Sequence, residues 1–301
     1  MKTKFLLAVS AFAVITATGC SSNGSDEPTP IPDPTPSKLE IKISPSIGST
    51  KATDFGFESG DKIGLYVVNY NGSVPGTLKS NGNHVDNMRF TYSGTWIPDS
   101  QIFWKDNATH ADFYLYYPYR QIYDVTAVAI EAPADQSTED KYKAADFMFG
   151  KTSNVLPSES AVGISANHLL SRVNISVAAG NGFTEESLSK SEIAVKVNGL
   201  YTTATVNLAT SEISLKGDKN SVSPYKYGSS YKIIVIPQSV EYGNLITVTV
   251  DGRDFNYKKD FTFVQNKEHN FTITVGKTSN GINVNINPWE NDGIDNGGVA
   301  E

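Results

Sequence analysis

Four carboxylates stand close together in one stretch of the chain, Asp135, Glu139, Asp140 and Asp146. Acids at that density suit two kinds of chemistry, a general acid and base pair on a glycosidic bond or oxygen ligands for calcium. Their spacing follows neither pattern, and a chain of net charge -7 has acid to spare for solvated loops, which is the reading we adopt. His168, in SANHLLSRVNISV, precedes a strand-like run, but no Ser or Cys stands in an elbow where it could be activated. A structural histidine whose ring nitrogens meet nearby backbone groups is expected. His84, His110 and His269 are scattered singly, so neither a metal nor a cofactor is expected. No G-x-S-x-G, Walker loop or H-E-x-x-H occurs, and no catalytic residue is named. The remaining candidate is the aromatic block over residues 96–123, which includes Trp96, Trp104, Tyr114 and Tyr116. Exposed rings stack on sugars, which makes a glycan-binding face one reading. Phe113 to Tyr117 alternate in strand phase, and aromatics dominate β cores, which makes packing the stronger one.

The only cysteine, Cys20, offers a different chemistry. Lys2 and Lys4 precede an apolar run over residues 5–17, and Ala17-Thr18-Gly19 lead into the thiol. A cationic start, a short apolar core and small residues at the exit describe a secretory signal over residues 1–19. The run is also shorter than the ~20 residues that span a bilayer as a helix. A cysteine at the cut resembles the lipobox of bacterial lipoproteins, with Ala17 where leucine is usual, and implies lipidation of Cys20. Acyl chains contribute ~0.8 kcal/mol per buried CH₂, so two or three of them tether a protein firmly. Loss of Lys2 and Lys4 with the signal takes the net charge from -7 to -9, and no basic stripe follows, which argues against a nucleic-acid partner.

The elements that would carry any site are strands. Residues 20–38 read as a lipidated linker with prolines at 28, 30, 32, 34 and 36, a polyproline II stalk of ~3.1 Å per residue. Period-two alternation begins at Leu39, Ile41 and Ile43 and recurs at Ile63, Leu65 and Val67 and at Val173, Ile175 and Val177. Asn71-Gly72, Asn81-Gly82, Asn198-Gly199 and Asp251-Gly252 supply the positive φ of tight turns. Residues 180–190 break the rhythm and hold one helical turn. They divide a first β-sandwich domain, 39–178, from a second, 179–290, with a flexible tail over 291–301. The last hairpin pairs Phe271 to Val275 with Ile282, Val284 and Ile286 across a five-residue loop, Lys277-Thr278-Ser279-Asn280-Gly281. Many short strands without intervening helices indicate an all-β fold of sandwiches.

Seven segments together carry a resemblance: FESGDKIGLYVV (57–68), YSGTWIPDSQIFWKD (92–106), ADFYLYYPY (111–119), AADFMFGKT (144–152), VGISANHLLSRVNISV (162–177), IVIPQ around Val235 and INVNINPWE (282–290). In this order they resemble the fimbrillin family, the Mfa-like pilin lipoproteins of Bacteroidales. The resemblance implies two tandem transthyretin-like β-sandwich domains and a structural subunit or tip adhesin of a pilus. It also implies surface exposure on the outer membrane through the lipid, and assembly by donor-strand exchange after a protease releases the first strand. In this chain that strand would be residues 39–43, with Leu39, Ile41 and Ile43 in the groove. Cleavage would fall after Lys51, leaving Ala52 as the new N-terminus. The family's usual arginine is missing there, since the first arginine is Arg89. Ile282, Val284 and Ile286 are the candidate donor strand. The partners implied are other pilin subunits in a head-to-tail polymer and a host or bacterial surface glycan or protein. The competing function is a monomeric outer-membrane glycan-binding lipoprotein, with the aromatic block as its platform.

Overall fold

The alternation becomes strands along most of the chain. The computed structural model describes residues 38–47, 56–278 and 281–290, the side chains of 277–278 and 281–290 excepted. Cys20, Lys51 and Ala52 lie outside the described residues, as do the expected signal, the linker up to residue 37 and the tail over 291–301.

Numbered in chain order, the strands form three sheets. The first has seven, in the order β1 (Ile43–Ile47), β8 (Val162–His168), β7 (Met148–Val155), β5 (Ala111–Tyr117), β2 (Lys62–Asn69), β3 (Val85–Tyr92) and β4 (Trp96–Pro98). The second runs β11 (Ile213–Val222), β10 (Ile193–Val206), β14 (Gln238–Val250) and β15 (Arg253–Phe263), with β6 (Val128–Glu131) also paired to β10. The third runs β12 (Tyr225–Tyr227), β13 (Ser230–Val235), β9 (Ser171–Ala179), β16 (Glu268–Thr278) and β17 (Gly281–Glu290). Two short helices join them, α1 (Glu139–Ala144), capped by Thr138, and α2 (Glu185–Lys190), capped by Thr184.

Three apolar cores follow from this layering. One face of the first sheet buries Ile63, Leu65, Phe113, Leu115 and Ile164. The second and third sheets enclose Val173, Ile175, Val248, Phe263 and Phe271 between them. The middle core is shared. Tyr66, Tyr114, Tyr116 and Phe149 from the other face of the first sheet meet Val128 and Ile130 of β6, Ala204 and Val206 of β10, and Ile236. Central strands β2 and β5 are therefore buried on both faces, where alternation alone suggests half-burial. Gly64 is part of that fit, because a Cβ there would stand 2.2 Å from the Tyr116 ring.

The sheets change over at the buried pair Leu169-Leu170, not near Ala178. Val173, Ile175 and Val177, expected in the first domain, sit in β9 between β13 and β16 of the third sheet. Period two reports which face a residue takes but not which strand lies beside it, and here the neighbours come from far along the chain. Asp251-Gly252, with φ of 48° and 79°, forms the two-residue turn between β14 and β15. Asn198-Gly199 does not turn the chain; it is a bulge inside β10, where the register against β11 shifts between Val197 and Leu200. The C-terminal hairpin pairs as far as Thr278 with Gly281, which leaves a two-residue connection where five residues were expected.

Candidate functional site

The sequence-picked polar residues do not converge. Asp135 accepts from Ser137 and is paired with Lys141, Glu139 meets Lys143 at 3.1 Å, and Asp140 is exposed. Hydrogen bonds from Lys141 and Ser137 hold the Asp135 carboxyl well below the usual carboxylate range. Among the described residues no group of three or more His, Cys, Asp or Glu is arranged to hold a metal ion. His168 meets not backbone but the Asp146 carboxylate, its Nδ1 2.8 Å from Oδ1. The spacing Asp146 to His168 gives no sign of this, because β7 and β8 bring the two together only at their last paired residues.

The aromatic block lies mainly inside. Trp104, Phe113, Tyr114 and Tyr116 are buried, and only Tyr123 among the block's rings projects, at 87% exposure. Trp96 is half-buried and receives Phe57 edge-on at 4.9 Å, while Tyr117 contacts Phe57 at 5.9 Å. Tyr117 donates to Asp61 at 3.2 Å, and burial together with that carboxylate pushes its hydroxyl up. These rings fix the chain at Phe57.

The distinctive geometry is at the N-terminal segment, residues 38–47. The Trp104 N–H donates to the Leu39 carbonyl at 2.8 Å, and the Ile41 N–H donates to the Ile102 carbonyl at 2.9 Å. Glu40 and Phe103 thus form an antiparallel bridge in the stretch that follows β4. The Val162 N–H then donates to the Lys42 carbonyl at 2.8 Å, and β1 continues parallel to β8 from Ile43 opposite Val162 to Ile47 opposite Ala166. One short segment thus pairs first with the stretch after β4 and then, as β1, with the β8 edge of the seven-stranded sheet.

Its side chains obey the alternation. Ile41 is 2% exposed, and Leu39, Ile43 and Ile47 pack at the margin of the same core, against the face that holds Trp104, Phe113, Val162, Ile164 and Ala166. Lys42, Ser44 and Ser46 are exposed. The alternation of Leu39, Ile41 and Ile43 continues to Ile47, past Pro45, which interrupts the apolar series in the sequence. Pro45 is tolerated because it lies on an edge strand.

β8 depends on this segment. Its ladder to β7 comprises only Met148 with His168 and Phe149 with Asn167, supplemented by a Thr152 hydroxyl donating to the Gly163 carbonyl at 2.8 Å. Residues 162–166 have β1 as their ladder partner. At the opposite end of the chain, β17 is an edge strand whose backbone pairs only with β16, antiparallel, from His269 with Glu290 to Thr278 with Gly281. Among the described residues no helix is long and apolar enough to cross a membrane.

Comparison with known proteins bears on this arrangement. The family model described as fimbrillin-like matches residues 50–289. A protein of Bacteroides uniformis, provisionally named fimbrium subunit Fim1C, is 24% identical over 303 residues, which cover 95% of each chain. A Bacteroides ovatus protein, provisionally named fimbrium tip subunit Fim1C, is 26% identical over 190 residues, 57% of this chain and 33% of its own length. Among solved structures, a provisionally named cell adhesion protein from B. uniformis shares the fold, with a TM-score of 0.64 at 22% identity, covering 86% of this chain and 99% of its own. The chain belongs to the fimbrillin-like family, a family of fimbrial and cell-adhesion proteins rather than of enzymes.

Proposed function

We propose that this protein is a structural subunit or tip adhesin of a surface fimbrium, exported as an outer-membrane lipoprotein through Cys20 and assembled by donor-strand exchange. Its three sheets read as two transthyretin-like sandwiches that share the middle core. Cleavage after Lys51 would separate residues 39–47 from the rest of the chain and would leave Ala52 as the new N-terminus. The absence of an arginine before Arg89 calls for a protease that accepts lysine.

The observation that carries this reading is the position of residues 39–47 at a sheet edge, with Ile41 in the core and β8 reliant on them for its ladder. Their departure would bare a row of N–H and C=O groups and an apolar floor, and a strand from another subunit would satisfy both. The candidate donor is the strand containing Ile282, Val284 and Ile286, an edge strand whose backbone ladder is with β16 and which also lies against β15. Such a contact is head to tail and does not close, so it yields a filament. The glycan-platform reading has less to rest on, since the rings it needs are mainly buried.

N-terminal sequencing of the protein recovered from assembled surface fibres tests the proposal. Ala52 is the expected first residue. Fibre-borne protein that begins only at lipidated Cys20 would overturn processing and, with it, exchange.

A further inference from the structure

We infer that Arg120 and Tyr123 form a binding site for an acidic sugar, the guanidinium taking the carboxylate and the exposed phenol ring taking the sugar face. The site gives the adhesin part of the reading above a ligand class, and it does not depend on strand exchange. The chain has four arginines. Arg89 is paired with Asp99 and Arg172 with Glu268, and Arg253 is exposed. Arg120 is half-buried, and no carboxylate pairs with it among the described residues. Burial pulls its pKa below arginine's ordinary value, opposed only by the Tyr116 hydroxyl beside it. Cations taken out of water are normally paired, and a chain with 32 acidic and 25 basic residues has acids enough to do it.

The surroundings hold this guanidinium in place. Asn87 has a φ of 42° and sits in a bulge of β3, where the register against β2 shifts between Leu65 and Val67. Its Nδ2 donates to the Arg120 carbonyl at 3.0 Å, and its Oδ1 accepts from the Tyr116 hydroxyl at 2.6 Å. That hydroxyl also lies 2.7 Å from the Arg120 carbonyl and accepts from the Arg120 N–H at 3.3 Å. With its backbone fixed, Arg120 lays its guanidinium over the Phe147 ring, 5.2 Å from the ring centre, and donates from Nη1 to the Ala129 carbonyl of β6 at 2.7 Å. Nε and Nη2 have no hydrogen-bond partner in the protein and are not among its fully buried polar atoms. They form the edge of the fork that grips a carboxylate through two parallel bonds. Asp124, the nearest acid along the chain, is turned to Thr126, accepting from its N–H at 2.8 Å and its hydroxyl at 2.7 Å. Tyr123, three residues from Arg120, projects at 87% exposure. A sugar acid uses both groups, its carboxylate on the fork and its C–H face on the ring, whereas a bare carboxylate leaves the ring idle.

Titration of the uncleaved chain with glucuronic acid, its methyl ester and glucose, followed by nuclear magnetic resonance, tests the assignment. Glucuronate should bind about ten-fold or more tightly than either neutral sugar. Arg120→Gln should abolish that preference. Arg120→Lys keeps the charge but loses the fork, and should weaken glucuronate roughly five-fold or more. Tyr123→Ala should weaken glucuronate about three-fold or more while leaving acetate binding unchanged. Unfolding midpoints check that each variant folds, and Arg120→Lys carries the comparison should Arg120→Gln fail to fold. Glucuronate that does not bind the native chain, or that binds folded Arg120→Lys at native strength, overturns the site and leaves Arg120 as a fastening between β6 and the first sheet. N-acetylglutamate amide binding as tightly as glucuronate overturns the sugar as its ligand. None of these outcomes alters the fibre-borne N-terminus, which tests processing and exchange separately.

Discussion

Ile41 is the deepest residue of the N-terminal segment, and its energetic weight follows from its surroundings. It is 2% exposed among Ile102, Trp104 and Phe113, so Ile41→Ala should cost about 2–4 kcal/mol, while the exposed neighbour Lys42→Ala should change stability by less than ~0.5 kcal/mol. Denaturant unfolding of the uncleaved chain measures both. Tyr66 tests the shared core from the opposite side. Its hydroxyl is buried with no hydrogen-bond partner, and burial, with Asp86 nearby, pushes its pKa up to about 12. The folded chain therefore holds the neutral phenol where the unfolded chain ionises. That contribution is complete below about pH 10 and disappears as the pH rises through the folded value. Tyr66→Phe should keep or raise the unfolding midpoint at neutral pH and flatten the alkaline loss, as denaturant unfolding at neutral pH and at about pH 11 would show. At this scale the sequence was a good guide to direction and a poor one to partners. The alternation of Leu39, Ile41 and Ile43 named the inward side chains, but nothing near His168 pointed to Asp146.

Among the elements, β8 is the one whose state should change most. In the intact chain residues 162–166 pair with β1, and their ladder to β7 reaches only His168 and Asn167. Hydrogen exchange at Val162 and Ile164 should be slow before cleavage, rise at least ten-fold once residues 39–47 are removed from the cleaved monomer, and slow again when a strand is supplied. Unchanged exchange after removal would mean that the edge closes on itself. Strand existence was legible from period two, since β2, β5, β9 and β14 lie where the alternation runs. Strand allegiance was not. β9 follows β8 after only two residues yet joins β13 and β16, and β6 leaves the first half to pair with β10, because pairing is decided by which apolar faces meet in three dimensions. Asn198-Gly199 shows the same limit. The dipeptide supplies positive φ, and a bulge uses that as readily as a turn does.

For the molecule as a whole, the middle core makes the two halves one body. Tyr114, Tyr116 and Phe149 of the first sheet pack with Ile130, Val206 and Ile236, so neither half can leave without baring a large apolar face. A chain ended at Leu170 should be insoluble or molten, and residues 39–290 should unfold in a single transition with coincident fluorescence and circular dichroism. Two separated transitions would show that the halves are independent. A body of this kind suits a subunit that must pass load from one neighbour to the next through its two edges. The central claim is that residues 39–47 are an exchangeable plug, and its most direct measurement is the mass of the purified chain on an unboiled SDS gel before and after complete cleavage at Lys51. The account predicts a monomer before cleavage and an SDS-resistant ladder of multimers after it, with Ala52 as the first residue in every rung. A fully cleaved chain that runs only as monomer would contradict it.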